Sequence, residues 1–566
     1  MTQKELFYIS RKNYEKIYAL SSDNYAKALL AFEKNEYEKA REILEGIKEQ
    51  SPYVLLQLLY TYTFIESPPP PPPEKIREII NKLLEQEYDE DFTFDFAFIL
   101  VSYGFYEEAD TLIEKLLGQK SYDENIWFDC ALAYKFVDNE KAIALLERAY
   151  EHFSAYKQEI LENEGDLSEE GGKRLDSIDD FIAMRVLVEL AHLNFRLYRY
   201  ENALDLFANV ENYNAKNPYF FISYALALEY TGHYDKAYEC YKRAITLVTE
   251  PFYCFEFSKF CLRLGSFEEG FLHYETRLSS KAAFTFSKRH YDAAYAAFYG
   301  DKDFLHGKKV LVYCEQGYGD TLMFGRILRR LCKVAKEVIF CPQPALFTLF
   351  DTHIKTLQKQ NKIQNNLKIV TNLSYECDYA VPICSLYLFL SFYNPKSIAN
   401  LSSPLISVEK RTRTQKAKIG ICFRTTTPVE RQAIFFRNID LDFLLQAFEG
   451  LDVELINFTL YEKGELELPT HINDISFELK DWLATSEALR DVDLLVSIDS
   501  AIAHLALALG IPTLVLLGDR FDWRWGKIEN PKSIFWQKAH LCVVNKDGPS
   551  GIRQKICELL KLDKPL

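Results

Sequence analysis

The fold of this chain is decided by one stretch near its carboxyl end, LLVSIDSAIAHLALALGIPTLVLLG, at residues 494–518. Its apolar runs are continuous rather than alternating, which is typical of parallel strands covered on both faces. The stretch predicts a buried strand, a sharp turn, a helix that ends at Gly510 and a second buried strand. Four polar side chains interrupt the apolar runs where strand becomes helix: Ser497, Asp499, Ser500 and His504. Because open α/β sheets bind ligands at the carboxyl ends of their strands, and helix amino termini favour anions, this turn predicts a phosphorylated ligand.

Length and charge set the wider organisation. A chain of 566 residues is too long for one core, so two to four domains are expected. Residues 1–300 carry 33 basic and 51 acidic side chains, whereas residues 301–566 carry 34 and 31. The acidic first half argues against a nucleic-acid partner, and the nearly neutral second half is compatible with a nucleotide diphosphate.

The 12 cysteines are scattered, and no C-x-x-C pair of the kind that binds zinc or performs redox chemistry occurs. They are expected to be reduced, mostly buried thiols of a cytoplasmic protein. The start, Met1 to Leu6, leads into no apolar segment, and the longest apolar run contains Asp499 and His504. We therefore expect neither a signal peptide nor a membrane span.

A repeat occupies the chain from about Asn24 to Ser279. Tyr200, Tyr234 and Phe267 lie 34 and 33 residues apart. Each is followed three and seven residues later by a small and an aromatic residue: Ala203/Phe207, Ala237/Tyr241 and Gly270/Tyr274. Looser copies are Tyr37/Ala40/Leu44, Tyr106/Ala109/Ile113 and Asn139/Ala142/Leu146. The pattern resembles the tetratricopeptide repeat (TPR), in which a small residue lets paired helices approach, so these residues are interpreted as stacking positions.

Two insertions interrupt the repeat. The hexaproline Pro68 to Pro73 cannot be helical and is expected to form a polyproline II connector, with a proline-recognition ligand as the alternative. Residues Leu161 to Gly172 read as a solvated acidic insertion.

The second half alternates strands and helices. Its first strand, Lys308 to Cys314, leads into a glycine-containing turn, Glu315 to Thr321. Leu322 occupies the place of a third glycine and no acidic residue follows the next strand, which disfavours a nicotinamide-type oxidoreductase. A hinge is expected from Ile398 to Lys416, and a second α/β half begins at Lys418. Asp491-Val492-Asp493 spells an Asp-x-Asp string of the kind that holds a metal ion in some enzymes, but it lies at the strand end opposite the crevice, so no metal is expected.

Four segments carry a family resemblance: Gly319-Asp320, Lys418 to Arg424, Ile498 to Ala506 and the tail Asp522-Trp523-Arg524-Trp525. They resemble the bacterial tetratricopeptide-repeat glycosyltransferases, whose catalytic half is similar to the heptosyltransferase family and has the GT-B fold. The resemblance implies an α-helical TPR-like superhelix followed by α/β GT-B, with two Rossmann-like open parallel sheets facing a cleft. The implied domains are residues 1–280 (repeats), 281–405 (acceptor side) and 406–566 (nucleotide-sugar side).

The resemblance also implies a site. Asp320 occupies the position of the family's proposed base; its alternative role is that of a helix cap. The donor and phosphate contacts implied are Arg424, Thr425, Arg431, Arg437, Ser497, Asp499, Ser500 and His504. Further cleft residues are Gln316, Gly317, Gly319 and Asp519. For Arg431 a plain surface position, and for His504 a role in orienting the turn, remain alternatives, and Trp523 and Trp525 either stack on a base or close the domain.

The function implied is an inverting, metal-independent glycosyltransferase that moves a hexosyl, heptosyl or N-acetylhexosaminyl group from a nucleotide-diphosphate sugar. A protein acceptor presented by the repeats is favoured over a glycan, and no cofactor is expected. Ala433 to Phe436 departs from the charge-rich stretch that the family has before Arg437. This departure keeps open a non-catalytic TPR scaffold or binding protein with a degenerate GT-B domain.

Overall fold

The computed structural model describes residues 24–64, 73–118, 126–135, 138–163, 182–279, 288–399, 401, 416–425, 437–462 and 464–562. Two compact units are distinguished, Met1–Ala215 and Lys216–Leu566. The proline run up to Pro72, most of the acidic insertion, hinge residues 402–415 and Arg431 lie outside the described residues.

The first unit consists of helices packed in antiparallel pairs. Their bounds are Asn24–Glu33, Tyr37–Glu45, Pro52–Tyr62, Pro73–Leu84, Glu90–Ser102, Tyr106–Gly118, Ile126–Tyr134, Asn139–Asn163, Leu187–Arg196 and Tyr200–Asn209, with a π-helical turn at Ile182–Val186. The second helix of a pair begins at the first residue of each predicted repeat copy, as at Tyr37, Tyr106 and Asn139. The small residues three positions later, Ala40 and Ala142, are fully buried at the helix crossings, which confirms the TPR-like pattern.

The second unit begins with two more helix pairs, Pro218–Tyr230 with Tyr234–Leu247 and Pro251–Leu264 with Phe267–Tyr274. Gly232 and Gly265 have φ angles of 81° and 83°, a left-handed conformation that lets the chain reverse between the paired helices. At the last crossing, a Cβ on Gly270 would lie 2.8 Å from Leu262 Cδ2, so the predicted small position is required by close helix contact.

Two parallel sheets follow in the same unit. The strands are β1 Lys309–Tyr313, β2 Glu337–Cys341, β3 Leu367–Ile369, β4 Tyr379–Pro382, β5 Ala417–Cys422, β6 Val453–Asn457, β7 Ile472–Asp474, β8 Leu494–Ile498, β9 Thr513–Leu517 and β10 Ala539–Val543. The strand orders are β3-β2-β1-β4 and β10-β9-β8-β5-β6-β7, with every pairing parallel. Each sheet therefore winds outward in both directions from its first strand, which places a switch point between β1 and β4 and another between β5 and β8.

Helices cover the sheets and carry the chain between strands. Their bounds are Lys288–Gly300, Tyr318–Phe324, Leu328–Val334, Phe347–Lys359, Leu386–Phe389, Pro395–Ala399, Leu441–Gln446, Trp482–Ala488, Ala501–Ala508 and Val544–Leu560. The stretch from residue 494 to 518 forms the predicted strand, helix and strand, and both strands are buried along their whole length. The sheets fall within the predicted ranges 281–405 and 406–566, while the predicted boundary near residue 280 stays a prediction.

Candidate functional site

The turn after β1 is fixed by its own carboxylate and by one glutamine. The helix after this turn starts at Tyr318 with Gly317 at its amino-cap position, and Asp320 has part of the capping role expected as its alternative, from the third helical position. The Gly317 N–H donates to Asp320 Oδ2 at 3.1 Å. Gln343 Nε2 donates to the Gln316 carbonyl at 2.8 Å, while Gln343 Oε1 accepts from Thr321 Oγ1 at 2.8 Å. Gln343 follows β2 and was missed from the sequence, where nothing marks it as a partner of this turn.

Asp320 forms an ion pair with a residue of the other sheet. Arg524, which follows β9, donates to Asp320 Oδ1 from Nη2 and to Asp522 Oδ1 from Nη1, the latter at 2.6 Å. The guanidinium also lies over the Trp523 ring, 4.6 Å from its centroid. Burial alone would lower the pKa of Arg524, but the Asp320 and Asp522 carboxylates raise it well above its ordinary value. The guanidinium is therefore a permanent cation that links the carboxyl edges of the two sheets.

A second contact between the sheets joins Gly319 to His504. A Cβ built on Gly319 would lie 2.8 Å from His504 Cδ2, so the helix after β1 meets the helix after β8 without a side chain between them. Trp536 Nε1 donates to His504 Nδ1 at 3.0 Å. Because an indole N–H only donates, Nδ1 must be the unprotonated nitrogen. Burial lowers the pKa of His504, so the neutral ring carries its proton on Nε2, 3.9 Å from Asp499 Oδ1.

Two tryptophans close this region. The Trp525 ring is fully buried and stacks on His504, with 5.3 Å between ring centroids and 22° between planes. Trp523 packs edge-on against Tyr274 and Phe535. Trp525 therefore packs in the interior of the domain. Closing the domain was one of the two roles expected for it.

A cavity of about 220 Å³ opens beside these turns. The sheet side contributes the carboxylates of Asp499 and Asp522, the cations Arg437 and Arg520, and one face of Trp523. The helices Pro218–Tyr230 and Pro251–Leu264 contribute the opposite wall, including Tyr230, Glu256 and Lys259. Asp320 does not line the cavity, and its connection to it runs through Arg524 and Asp522.

Residues of the repeat helices are also bonded to the loop after β9. Arg263 forms a buried ion pair with Glu229 and donates to the carbonyls of Phe521 and Gly526 at 2.9 and 2.8 Å. Tyr241 OH donates to the same Glu229 carboxylate at 2.7 Å. The cavity wall on the repeat side is therefore held in fixed relation to Arg520 and Asp522.

A buried polar network is hydrogen-bonded to the first residue of the turn after β1. Arg277 donates to Glu315 Oε1 at 2.8 Å, to Glu275 Oε1 at 2.7 Å and to Ser385 Oγ at 2.8 Å. Tyr291 OH donates to Glu275 Oε2 at 2.6 Å. Burial raises the pKa of Glu315, and Arg277 opposes that effect. The network ties the end of the last repeat helix to the first residue of the turn that carries Asp320.

The other residues expected at the site have partners that do not belong to the Asp320–Arg524 pair. Arg424 Nη2 pairs with Glu465 Oε1 at 2.9 Å, and the Thr425 N–H donates to Asn438 Oδ1 at 3.0 Å. Ser497 is fully buried, with its hydroxyl 3.0 Å from that of Ser500, so the two hold the turn after β8. Asp519 Oδ2 accepts from Asn545 Nδ2 at 2.7 Å. Of the four predicted arginine and threonine contacts, only Arg437 lines the cavity; Arg431 lies outside the described residues.

Within the described ranges, no group of three or more His, Cys, Asp or Glu side chains has an arrangement that holds a metal ion. Asp493 Oδ2 accepts from the Lys418 N–H at 3.1 Å at the entrance to β8, as expected for the rejected Asp-x-Asp string. None of the described helices combines the length and apolarity that a bilayer crossing requires.

Comparisons with known proteins gave structural likenesses only. No family model matches the chain, and no curated protein matches it significantly. Among solved structures, MamA (AMB-1) is 19% identical over 33% of this chain and 90% of its own, with a TM-score of 0.23. A family 9 glycosyl transferase from Veillonella parvula is 12% identical over 46% of this chain and 91% of its own, with a TM-score of 0.28. The dodecameric iron-containing heptosyltransferase TibC, solved with ADP-D-β-D-heptose, is 11% identical over 45% and 77%, with a TM-score of 0.30. By its own helix pairs and strand orders, the chain consists of TPR-like helical repeats followed by two doubly wound parallel sheets of the GT-B type.

Proposed function

We propose that the chain is a glycosyltransferase that moves a sugar from a nucleoside-diphosphate sugar to an acceptor hydroxyl or amide. One observation supports this most directly. The carboxyl edges of two doubly wound sheets meet, and there the Asp320 carboxylate of one sheet and the Arg524 guanidinium of the other form a pair beside the Asp499–His504 turn. Crevices of this kind are where α/β sheets bind nucleotides.

The cavity beside the pair is the proposed donor site. Arg437 and Arg520 line it and supply positive charge for a diphosphate, whereas Lys259 is paired with Glu256 at 2.7 Å. Asp499 and Asp522 lie in the same cavity and would repel phosphate oxygens, so they are assigned to the hydroxyl groups of the sugar. In this assignment Arg437, Arg524 and the start of helix Ala501–Ala508 meet the charge of the leaving group, and no step is given to a metal.

The reaction proposed is a single displacement with inversion. Asp320 takes the proton of the acceptor, the acceptor atom bonds to the anomeric carbon, and the bond from that carbon to the diphosphate oxygen breaks. The nucleoside diphosphate leaves with the electron pair of that bond. Because Asp320 is paired with Arg524 in the structure, it must lose part of that contact before it can reach the acceptor proton. The diphosphate supplies the competing anion, and donor binding thereby releases the base.

The acceptor proposed is a polypeptide, with a glycan as the alternative. Repeat superhelices bind extended chains along their surfaces, and residues 1–300 carry a net charge of −18, which favours a basic acceptor segment. Incubation with basic and acidic peptide libraries and with oligosaccharides, followed by mass spectrometry of the products, separates the two.

The test of the enzyme proposal is release of nucleoside diphosphate from a panel of nucleotide sugars. Asp320→Asn is expected to lower turnover at least 100-fold while donor affinity is kept or increased, because the amide keeps the size of the side chain but removes both its charge on Arg524 and its ability to take a proton. Arg524→Met is expected to weaken donor binding as well. Asp351→Asn, which removes a surface carboxylate paired with Lys355, is the matched control and should leave turnover unchanged.

A second candidate is a binding protein without turnover, and the Asp320–Arg524 pair is the observation that favours it. If the wild-type chain binds nucleotide sugars yet releases no diphosphate with any donor and acceptor combination, this candidate replaces the first. If Asp320→Asn turns over as fast as the wild type, Asp320 is not the base.

A further inference from the structure

We propose that the amino-terminal edge of the first sheet carries a second binding site, which takes a small polyanion bearing two or more phosphate groups. The site is a cavity of about 550 Å³ lined by five cationic side chains: Arg326, Arg329, Arg330, Lys333 and Lys362. Among the residues that the structure describes, the rest of the lining is amide or apolar and includes no carboxylate.

This cavity is distinct from the proposed donor site. Helix Leu328–Val334 leads into β2, and residues 361–365 lead into β3, so both segments lie at the strand ends where the chain enters the sheet. The turn that carries Asp320 leaves β1 at the opposite edge. None of the described residues lines both this cavity and the proposed donor cavity.

The burial of Arg326 is the main observation. Its side chain is among the buried charged groups at 5% exposure, and its donors reach only the carbonyls of Leu401 and Phe535. The guanidinium also lies 4.6 Å from the Trp536 ring centroid. Burial lowers the pKa of Arg326, and no carboxylate in the described part of the chain forms an ion pair with it.

Three other arginines of this unit that have little exposure each form an ion pair with a carboxylate. Arg263 pairs with Glu229, Arg277 with Glu275 and Arg524 with Asp320. A buried charge without a counter-charge is unfavourable. Carbonyl oxygens compensate the charge of Arg326 only in part. Arg326 is therefore the buried member of the five cationic residues that line the cavity.

The chemistry of the lining selects phosphate. Arg329 Nη1 is held by the Lys362 carbonyl at 3.0 Å, so its guanidinium has a defined position on the wall. Arg330, Lys333 and Lys362 are exposed, and the described residues give none of them an ion pair. Guanidinium groups bind phosphate oxygens in pairs, and the three exposed cations Arg330, Lys333 and Lys362 already require more than one negative charge. The volume suits a diphosphate, a triphosphate or a small nucleotide.

The test uses inorganic tripolyphosphate as the probe and the full chain, with affinity measured by isothermal titration calorimetry. The double substitution Lys333→Ala/Lys362→Ala is expected to weaken binding at least tenfold and to reduce its dependence on salt concentration. Both side chains are exposed, so the fold should be retained, and Arg330→Ala provides an independent removal. Lys355→Ala/Lys359→Ala removes the same charge from the exposed side of helix Phe347–Lys359 and should leave affinity within twofold.

Arg437→Ala distinguishes this site from the donor cavity, so the two proposals can fail separately. Tripolyphosphate affinity that is unchanged by Arg437→Ala but reduced by the pocket substitutions supports the second site, whether or not the chain turns over a nucleotide sugar. Hydrogen exchange should then slow at residues 326–334 and 361–366 when the probe binds. Wild-type affinity in the Lys333→Ala/Lys362→Ala variant, loss of binding only in Arg437→Ala, or no binding at low salt each overturns the proposal.

Discussion

Replacing Gly319 with alanine tests whether the two sheets meet as described. Gly319 lies in the first turn of helix Tyr318–Phe324, at a backbone conformation that alanine also adopts. Helix propensity alone therefore predicts that Gly319→Ala stabilises the protein by about 0.5–1 kcal/mol. The contact with His504 predicts the opposite sign, because the new Cβ would lie 2.8 Å from Cδ2.

The imidazole has little freedom to move away. It accepts a hydrogen bond from Trp536 and stacks on the buried Trp525 ring. Overpacking a site of this kind costs about 1–3 kcal/mol, so subtracting the gain in propensity leaves a net loss of about 0–2.5 kcal/mol, with about 1 kcal/mol as the central expectation. For a unit as large as Lys216–Leu566, a loss of about 1 kcal/mol should lower the apparent Tm by about 1–2 °C.

The assay is thermal unfolding followed by calorimetry, with Gly300→Ala as the matched control. Gly300 is also helical and a Cβ there meets no atom within 4 Å, so this control should keep or raise the Tm. In a His504→Ala background, Gly319→Ala should lose its cost, because the clashing ring is gone. If Gly319→Ala raises the Tm of the wild type as Gly300→Ala does, then the helices after β1 and β8 are not in contact and the proposed site has no basis.

Three further predictions concern stability. Arg263→Met should lower the free energy of unfolding by about 3–5 kcal/mol, because Glu229 keeps only the Tyr241 hydroxyl; adding Glu229→Gln should recover part of the loss in thermal unfolding. Since burial lowers the pKa of His504 below its ordinary 6.5, the unfolded chain binds more protons near that pH, and stability should fall as the pH drops below about 6.5, by at most about 1.4 kcal/mol per pH unit. That slope should be smaller in His504→Phe, and an identical pH profile of the Tm would refute the assignment. Gly270→Ala should cost about 1–3 kcal/mol through its clash with Leu262, and an unchanged Tm would show that the last helix pair packs less closely.

The sequence was sufficient for most of the architecture because the relevant signals are local. The aromatic residue that opens each repeat copy is the first residue of a helix at Tyr200, Tyr234 and Phe267, since a small residue three positions later must face the crossing. Long apolar runs likewise located β8 and β9. Two of the edge strands left no such signal: β7 has three residues, and β10 has the polar His540 as its second residue.

The site was harder to predict because its contacts are distant in sequence. Asp320 and Arg524 are separated by 204 residues, and nothing in either segment identifies the partner of the other. The same holds for His504 and Trp536, which lie 32 residues apart. Arg424 pairs with Glu465, a residue of the loop after β6 that the sequence did not identify as its partner, and its contact with phosphate stays a prediction.

The hydrogen bonds from Arg263 to the loop after β9 affect where the chain can be divided into independent parts. A helix that belongs to the repeats by its sequence pattern donates to two backbone carbonyls that no substitution in the loop can remove. Cutting the chain after residue 280 would therefore expose the part of this loop that Arg263 covers. An array of foreign repeats, or a purification tag in place of the native ones, is better grafted upstream of Lys216, where the compact unit containing both sheets begins.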